Sequence, residues 1–366
     1  MINCSQFNIV GDGKTDNTKA MQAAHASGAV IYYPGGQPYL FSGNVQIPAG
    51  GISGDGRATQ LRSTDTSSAA AITFTGNGQS NGGTTLPLFE KFSLLGPNTS
   101  SVVKQSGAGI NFVPAGGDVN ALQGFTLAGL FIQGFPVGID TNNTSSWKLM
   151  GCDVYFFSQA GIVVQKTASS DVGDSAIVGC MFFNGNGPTY AGLGSGVLQN
   201  SGGGLKISAT KFNGGAYGYQ LAQVGQTSDI LIGVCSFENA SIAGVDFQNQ
   251  ANTYANPVRW SNIVISGSQF AGNARDFFLE TIADYLNTAY WDNVNVSGCV
   301  FYSVGQSHPS VELNTCRGVY VGANAFDGAA TAILAQATAA GAIGANAYRS
   351  VAAQIVNLAG SAVTGP

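Results

Sequence analysis

A six-residue pattern of apolar and small residues recurs eight times between Trp147 and Tyr348. Each copy, such as Ile177–Phe182, begins with an aliphatic residue, has a small residue at its fourth position and ends with an apolar, usually aromatic residue. The interval is 22 to 33 residues, since the copies end at Val154, Phe182, Phe212, Phe237, Phe270, Phe301, Phe326 and Tyr348. Repeats of this length indicate stacked structural units. The apolar residues alternate with period two, which predicts β-strands and fits no helical pattern.

The repeat predicts an all-β fold, a parallel β-solenoid in which each copy belongs to one coil of short strands. Successive coils lie about 4.8 Å apart, so equivalent residues stack in ladders. The fourth positions form a ladder of small residues that can hydrogen-bond: Cys152, Cys180, Thr210, Cys235, Ser268, Cys299, Asn324 and Asn346. We therefore expect buried, reduced cysteines. Because no Cys-x-x-Cys pair occurs and only 2 histidines are present, we expect no zinc site, no other metal and no cofactor.

The N-terminal sequence predicts a turn that leads into a short helix. The run Gly11–Thr18 forms the turn, and the predicted helix covers Asp16–Ser27, with Asp16 or Thr15 as its cap. Strands then alternate with a Pro-Gly-Gly turn at Pro34–Gly36 and a Gly-Asp-Gly turn at Gly54–Gly56.

This order resembles the opening of pectate-lyase-like right-handed parallel β-helices, and in particular the central domains of bacteriophage tailspikes. In those proteins a Gly-Asp-Gly-x-Thr-Asp-x-Thr run, here Gly11–Thr18, precedes a short helix that caps the open end of the coil. The resemblance implies an N-terminal cap with the first coils over residues 1–60 and one continuous β-helix body over residues 61–366. It also implies a homotrimer on the phage tail, part of the virion, that acts extracellularly on a bacterial surface polysaccharide.

The composition argues against several other classes of function. Only 9% of the 366 residues are charged, the formal net charge is −5, and the 14 basic residues are scattered. Nucleic-acid binding needs a clustered basic face, so we expect no nucleic-acid partner. No apolar run is long enough to cross a membrane, so we expect no membrane insertion, and we expect no signal peptide.

Three carboxylates are expected on one outward face. The strands that follow the repeated pattern align so that apolar residues such as Val245 point inward, and Asp246, Glu280 and Glu312 project outward from consecutive coils. Neighbouring Cα atoms are then about 8 Å apart. From that spacing the carboxyl groups can reach the separations that glycosidases use. These three are the predicted catalytic residues, one protonating the leaving oxygen and another activating water.

The adjacent insertion Arg275–Asp292 is rich in acidic and aromatic residues, a combination that suits sugars because rings stack on their C–H faces. His308, in the loop before Glu312, is a further candidate. The predicted substrate-binding residues are Arg275, Asp276, Tyr285, Tyr290, Trp291 and His308. A second acidic pair, Glu238 and Asp327, lies three coils apart, about 14 Å, which is too far for direct pairing.

Three functions fit these features. The first is hydrolysis of a bacterial capsule or O-antigen by a carboxylate pair. The second is a polysaccharide lyase, in which a base removes the proton α to a uronate carboxylate; only Arg259 and Arg275 lie near enough to assist. The third is a receptor-binding spike that holds the glycan without cleaving it. The paired carboxylates favour hydrolysis.

Overall fold

A computed structural model of the chain describes residues 1–67, 69–75, 87–97, 106–113, 122–141, 144–164, 174–185, 193–200, 203–223, 227–249, 258–281, 289–314, 316–336, 340–358 and 362–364. The chain divides into two compact units, an N-terminal unit, Met1–Tyr190, and a C-terminal unit, Ala191–Pro366. The expectation of one continuous body over residues 61–366 stays a prediction.

Both units consist of coils in which the chain passes through three short strands. We call the sheets built from the first, second and third strands of the coils sheet A, sheet B and sheet C. Strands pair in parallel with the equivalent strand of the next coil, as Leu149 does with Ile177 and Phe237 does with Phe270. This arrangement is the parallel β-helix that the sequence predicts.

In the N-terminal unit the three sheets contain strands β1 to β18. Sheet A contains β1 (Ile2–Asn3), β2 (Val30–Tyr33), β5 (Gly51–Gly54), β8 (Leu88–Glu90), β11 (Thr126–Ala128), β14 (Lys148–Met150) and β17 (Ala176–Val178). Sheet B contains β3 (Tyr39–Phe41), β6 (Gln60–Ser63), β9 (Ser93–Leu95), β12 (Phe131–Gln133), β15 (Asp153–Tyr155) and β18 (Met181–Asn184). Sheet C contains β4 (Val45–Ile47), β7 (Ile72–Phe74), β10 (Ala108–Phe112), β13 (Val137–Asp140) and β16 (Ala160–Val164).

In the C-terminal unit the sheets contain strands β19 to β38. Sheet A contains β20 (Lys206–Ser208), β23 (Thr227–Gly233), β26 (Val258–Ser266), β29 (Ala289–Ser297), β32 (Val319–Gly322), β35 (Ala340–Ile343) and β38 (Ala362–Thr364). Sheet B contains β21 (Lys211–Gly214), β24 (Ser236–Glu238), β27 (Gln269–Ala271), β30 (Val300–Tyr302), β33 (Ala325–Asp327) and β36 (Ala347–Arg349). Sheet C contains β19 (Ser195–Gln199), β22 (Tyr217–Gln223), β25 (Ala243–Asn249), β28 (Phe277–Thr281), β31 (Val311–Asn314), β34 (Thr331–Ala335) and β37 (Ala353–Asn357).

Aromatic rings stack along the interior of sheet B in the C-terminal unit, where the last residues of the repeated pattern meet. The buried side chains of Phe212, Phe237, Phe270, Phe301 and Phe326 have neighbouring ring centroids 4.8 to 5.0 Å apart. This distance matches the spacing between hydrogen-bonded strands, so each coil adds one ring to the stack. The repeated aromatic position therefore supplies the core of the unit.

The turn between sheet A and sheet B fixes the register of each coil. Its first residue has a left-handed backbone, with φ of +57° at Gly151, a conformation that glycine adopts without strain. The ladder residue follows, and it accepts a hydrogen bond from the backbone N–H of its counterpart one coil earlier. The distance is 3.4 Å from Cys152 N to Cys180 Sγ and 2.9 Å from Cys299 N to Asn324 Oδ1. The predicted ladder is thus confirmed at these pairs, one in each unit.

The helix α1 (Thr18–His25) packs against β4 in the N-terminal unit and is shorter than predicted by two residues at each end. Met21 and Ala24 are its buried apolar residues. The Oδ1 atom of Asp16 accepts the Thr18 N–H at 2.9 Å, so Asp16 caps the first turn even though it lies outside the helix. Two 3-10 turns, Cys4–Phe7 and Gly56–Ala58, complete the helical segments of the described residues. No helix in that part of the chain is long and apolar enough to span a membrane.

The cysteines should react with a thiol reagent only after the protein unfolds. All six lie in the described residues, all are buried, and none forms a disulfide. Burial raises the pKa of Cys235 and that of Cys299 to about 11, so little thiolate is available at neutral pH. The measurement is labelling with a maleimide reagent followed by intact-mass spectrometry. Rapid labelling of Cys235 or Cys299 in the native protein would contradict the ladder.

Replacing Met21 by Asp should lower the free energy of unfolding by about 2–4 kcal/mol, because it places a charge in a buried apolar site. The matched control is Lys19→Asp, which introduces the same residue at an exposed position of α1. Thermal and urea denaturation of the two variants measure the effect. Equal stability of the Met21 and Lys19 variants would show that α1 does not cap the core.

Candidate active site on sheet C

The predicted catalytic residues lie on sheet C of the C-terminal unit, in the register that the sequence indicates. Six inward residues pair across three coils and are buried: Val245, Phe277, Val311, Phe247, Leu279 and Leu313. On the other side of the strands, Asp246 pairs with Phe278, which pairs with Glu312, and Glu280 pairs with Asn314. We call the outer surface formed by Asp246, Glu280, Glu312 and Arg275 the acidic face.

Arg275 brings a positive charge to these carboxylates. Its Nε atom lies 3.9 Å from Oε2 of Glu312, and its Cζ atom lies 4.6 Å from the centre of the Phe278 ring. The Glu312 side chain is only 12% exposed, and its Oε1 accepts a long hydrogen bond of 3.4 Å from Gln336 Nε2. One arginine faces three acids, so ionising all three leaves an excess of negative charge. Each ionised carboxylate therefore opposes the ionisation of its neighbours.

Asp246 points outward, as expected, but its neighbours cover it. It is 1% exposed, and its Oδ1 atom has no hydrogen-bond partner in the described part of the chain. Burial raises the pKa of Asp246 to about 7; Arg275 opposes this shift, and the charge of Glu280 adds to it. A substantial fraction of Asp246 is therefore protonated at neutral pH, which is the state a general acid requires.

Glu280 is half-buried and is held by two hydrogen bonds. Asn314 Nδ2 donates to its Oε1 at 2.9 Å, and Trp291 Nε1 donates to its backbone oxygen at 2.9 Å. Burial raises the pKa of Glu280, and the charge of Glu312 raises it further, while Arg275 and Asn314 act in the opposite direction. The charge of Glu280 in turn adds to the raised pKa of Asp246, so removing that charge should lower the pKa of Asp246.

Two of the predicted substrate-binding residues lie in the interior. Asp276 is fully buried and accepts three hydrogen bonds of 2.7 to 3.0 Å from side chains of neighbouring turns; burial raises its pKa to about 6. Trp291 is also fully buried, and its ring stacks on Phe247 with centroids 5.6 Å apart. Neither can stack on or bind a sugar at the outer face, so these two predictions are wrong. Asp276 stabilises turns, and Trp291 belongs to the core.

The other predicted substrate-binding residues differ in what the structure shows. Arg275 joins the acidic face. Tyr285 lies outside the described residues, and Tyr290 is described only as a backbone position of β29, paired with Arg259. His308 is half-buried in the turn that precedes β31. Glycan binding by Tyr285, Tyr290 and His308 stays a prediction.

Two polar neighbours of the acidic face were not predicted from the sequence. Gln220 pairs with Asp246 and its Oε1 accepts a 2.7 Å hydrogen bond from Ser195 Oγ. Tyr217 lies close enough that the charge of Asp246 adds to burial in raising the tyrosine pKa. Extending the strand alignment by one coil would have found Gln220, because it occupies the same row as Asp246. Tyr217 lies three positions before Gln220 on β22. The row that contains Gln220 and Asp246 therefore does not include Tyr217.

The remaining acids considered from the sequence are paired elsewhere. Glu238 Oε2 lies 2.9 Å from Lys211 Nζ, and Asp327 forms an ion pair with Arg349. Among the residues that the structure describes, no group of three or more His, Cys, Asp or Glu side chains is arranged to hold a metal ion.

Comparisons with known proteins bear on the fold. No protein family model matches the sequence, and no curated protein matches it. The surface adhesin PfbA of Streptococcus pneumoniae has a TM-score of 0.76 and 13% identity, over 97% of this chain and 93% of that chain. The catalytic unit of the GH87 α-1,3-glucanase of Streptomyces thermodiastaticus has a TM-score of 0.67 and 13% identity, over 100% and 67%. The Dettilon tailspike protein has a TM-score of 0.56 and 14% identity, over 95% and 68%. At these identities the similarity confirms the right-handed parallel β-helix predicted from the sequence.

The raised pKa of Asp246 predicts a pH-dependent difference in stability between the protein and Asp246→Asn. Below about pH 4 the carboxyl is protonated in both the folded and the unfolded chain. Between the ordinary pKa of 3.8 and the folded value of about 7, only the unfolded chain loses the proton, so the free energy of unfolding falls as pH rises. Asn does not titrate, and Asp246→Asn should therefore gain stability relative to the parent protein, by a few kcal/mol at pH 8 compared with pH 4.

The measurement is chemical denaturation across this pH range. Asp65→Asn serves as the control, since it removes the same charge at a half-buried position in the N-terminal unit. A difference between parent and Asp246→Asn that is constant with pH would show that Asp246 titrates in the same way in both states.

Proposed function

We propose that the protein hydrolyses a bacterial surface polysaccharide at the acidic face. The observation that carries this proposal is the juxtaposition of Asp246, which has a pKa of about 7, with a second carboxyl at Glu280 one coil away. Two neighbouring carboxyls can act as the acid and the base of glycoside hydrolysis when their environments keep one protonated and the other ionised. The similarity in fold to a glucanase, an enzyme whose substrate is a polysaccharide, supports a glycan ligand.

Each carboxyl has a distinct role in the proposed reaction. Asp246 is covered by its neighbours in the structure, and the proposed reaction requires these side chains to move aside when the glycan binds. Asp246 then donates its proton to the glycosidic oxygen as the bond from that oxygen to the anomeric carbon breaks. Water attacks the anomeric carbon and transfers a proton to Glu280, which is the more exposed of the two. Glu312 and Arg275, which form an ion pair, keep the local charge near balance. Cα atoms one coil and two residues apart are about 8 Å from each other. From that spacing the two carboxyl groups can reach the separation of about 6.5–9.5 Å that leaves room for the water.

The proposed setting is the tail of a bacteriophage, where the protein binds a capsule or O-antigen as a homotrimer outside the host cell. The support for this setting is the Gly11–Thr18 opening, followed by α1 as a cap, together with the similarity in fold to the Dettilon tailspike protein. Sedimentation analysis of the purified chain tests the trimer, and a monomer at all concentrations would contradict that part of the proposal.

Product analysis separates the proposed reaction from the alternatives. The protein is incubated with capsules and O-antigens from a panel of bacterial strains, and the products are examined by mass spectrometry. Oligosaccharides that have gained one water support hydrolysis, and unsaturated products would establish a lyase instead. Tight binding without cleavage would establish a receptor-binding spike, an alternative that the near-complete burial of Asp246 favours.

Replacing Glu280 by Gln should lower the rate of depolymerisation at least about a hundredfold, the usual size of general acid–base assistance. Glycan binding and melting temperature should stay close to those of the parent protein, because the substituted side chain has the same shape and is only half-buried. Reducing-end release and isothermal titration calorimetry measure the two effects.

Glu238→Gln is the matched control, since it makes the same change on sheet B of the same unit, away from the acidic face. It should retain full activity. Full activity of Glu280→Gln, Asp246→Asn and Glu312→Gln, each tested singly, would reject the acidic face as the catalytic site.

A further inference from the structure

A groove of about 750 Å³ lies on the outer surface of sheet B in the N-terminal unit. Its walls expose more apolar than polar surface, and they include two arginines, Arg57 and Arg62, and the ring of Phe131. The strand register explains how residues far apart in sequence meet there. Arg62, Leu95 and Gln133 form one outward row across β6, β9 and β12. We call this surface the sheet B groove.

The two arginines give the sheet B groove a positive charge in a chain whose net charge is −5. Arg57 lies over Phe131, with its Cζ atom 4.4 Å from the ring centre, and it also forms an ion pair with Asp153. The Arg57 side chain remains 64% exposed despite these contacts. Arg62 is exposed as well. Two guanidinium groups against one carboxylate leave a net positive groove, and arginine binds carboxylates with two parallel hydrogen bonds.

A row of aromatic rings continues from the sheet B groove along the same outer surface. The ring of Phe131 lies 5.2 Å from that of Tyr155, and Tyr155 lies 5.1 Å from Phe183. All three rings are half-buried, so each keeps part of its surface accessible. Tyr155 and Phe183 pair in β15 and β18 and follow Gln133 in its row. The rings thus repeat once per coil, about 4.8 Å apart along the unit.

We propose that the sheet B groove and its aromatic row bind a segment of an acidic, uronate-containing polysaccharide. Arg57 and Arg62 bind the carboxylates, the amide groups of Gln60 and Gln133 bind hydroxyls, and the rings of Tyr155 and Phe183 pack on the C–H faces of the sugars. A continuous row of rings and cations suits a chain ligand better than a small molecule. The site belongs to the N-terminal unit, so it does not depend on cleavage at the acidic face.

The test is affinity electrophoresis of the intact chain in gels that contain alginate, hyaluronan or polygalacturonate, with dextran as an uncharged polysaccharide and single-stranded DNA as another polyanion. We expect retardation by at least one of the three uronate polymers and none by dextran. Raising the salt from about 0.1 M to about 1 M should reduce the retardation, because the Debye length falls from about 10 Å to about 3 Å. Absence of retardation by all three uronate polymers, equal retardation by dextran, or stronger retardation by DNA would overturn the proposal.

Two variants localise the binding. Arg62→Gln and Tyr155→Ala should each raise the apparent Kd about tenfold or more, since the first removes a charged hydrogen-bond donor and the second a stacking surface. Arg349→Gln is the control, because it removes one exposed arginine in the C-terminal unit. If Tyr155→Ala does not fold, Arg62→Gln decides alone, since that exposed substitution leaves the interior untouched. Unchanged binding by Arg62→Gln would reject the sheet B groove as the binding site. Glu280→Gln tests cleavage separately, and this variant should bind the same polymers as the parent protein.

Discussion

Parallel pairing between successive coils is the constraint on which the rest of the structure depends. Each strand must satisfy its backbone N–H and C=O groups with the coil before and the coil after it, so a slip of one residue would turn a whole strand inside out. The turn between sheets A and B prevents this slip. There a left-handed residue such as Gly151 is followed by a ladder residue whose side chain bonds the previous coil, as Asn324 bonds Cys299. Register is thus fixed once per coil.

A fixed register turns sequence periodicity into surface chemistry. In the C-terminal unit, an acid on the outer side of β25 is followed one coil later by another on β28, and Asp246 and Glu280 become neighbours although 34 positions separate them in the sequence. Burial raises the pKa of both residues. The charge of Glu280 adds to the shift at Asp246, the charge of Glu312 adds to the shift at Glu280, and Arg275 limits both effects. In the N-terminal unit the same geometry places Arg62 and Tyr155 in one row. Both proposed sites therefore result from the stacking of coils. This stacking tolerates insertions between coils.

The sequence was sufficient for the fold, the ladder and the outward row of acids, because all three follow from period-two alternation and the repeat. It was insufficient to predict which side chains are buried. Alternation says on which side of a strand a residue lies, but the cover on that side depends on neighbouring side chains, as for Asp246. Asp276 and Trp291 were misassigned for a related reason. Asp276 immediately precedes β28 and Trp291 lies within β29, and the side chains of both are buried. The sheet B groove was not predicted, since Arg57 and Arg62 precede the first copy of the recurring pattern and the sequence provides no register that would align them with Tyr155.

We propose that the acidic face holds a proton at neutral pH for transfer to a glycan. Carbon-13 NMR of the aspartate side-chain carboxyls tests this directly. The signal of Asp246 is identified by its absence from the spectrum of Asp246→Asn. The account predicts that Asp246 titrates with an apparent pKa near 7 and that this value falls in Glu280→Gln, because the neighbouring negative charge is removed. An Asp246 carboxyl that titrates near 4, the ordinary value for aspartate, and that does not respond to Glu280→Gln would contradict it.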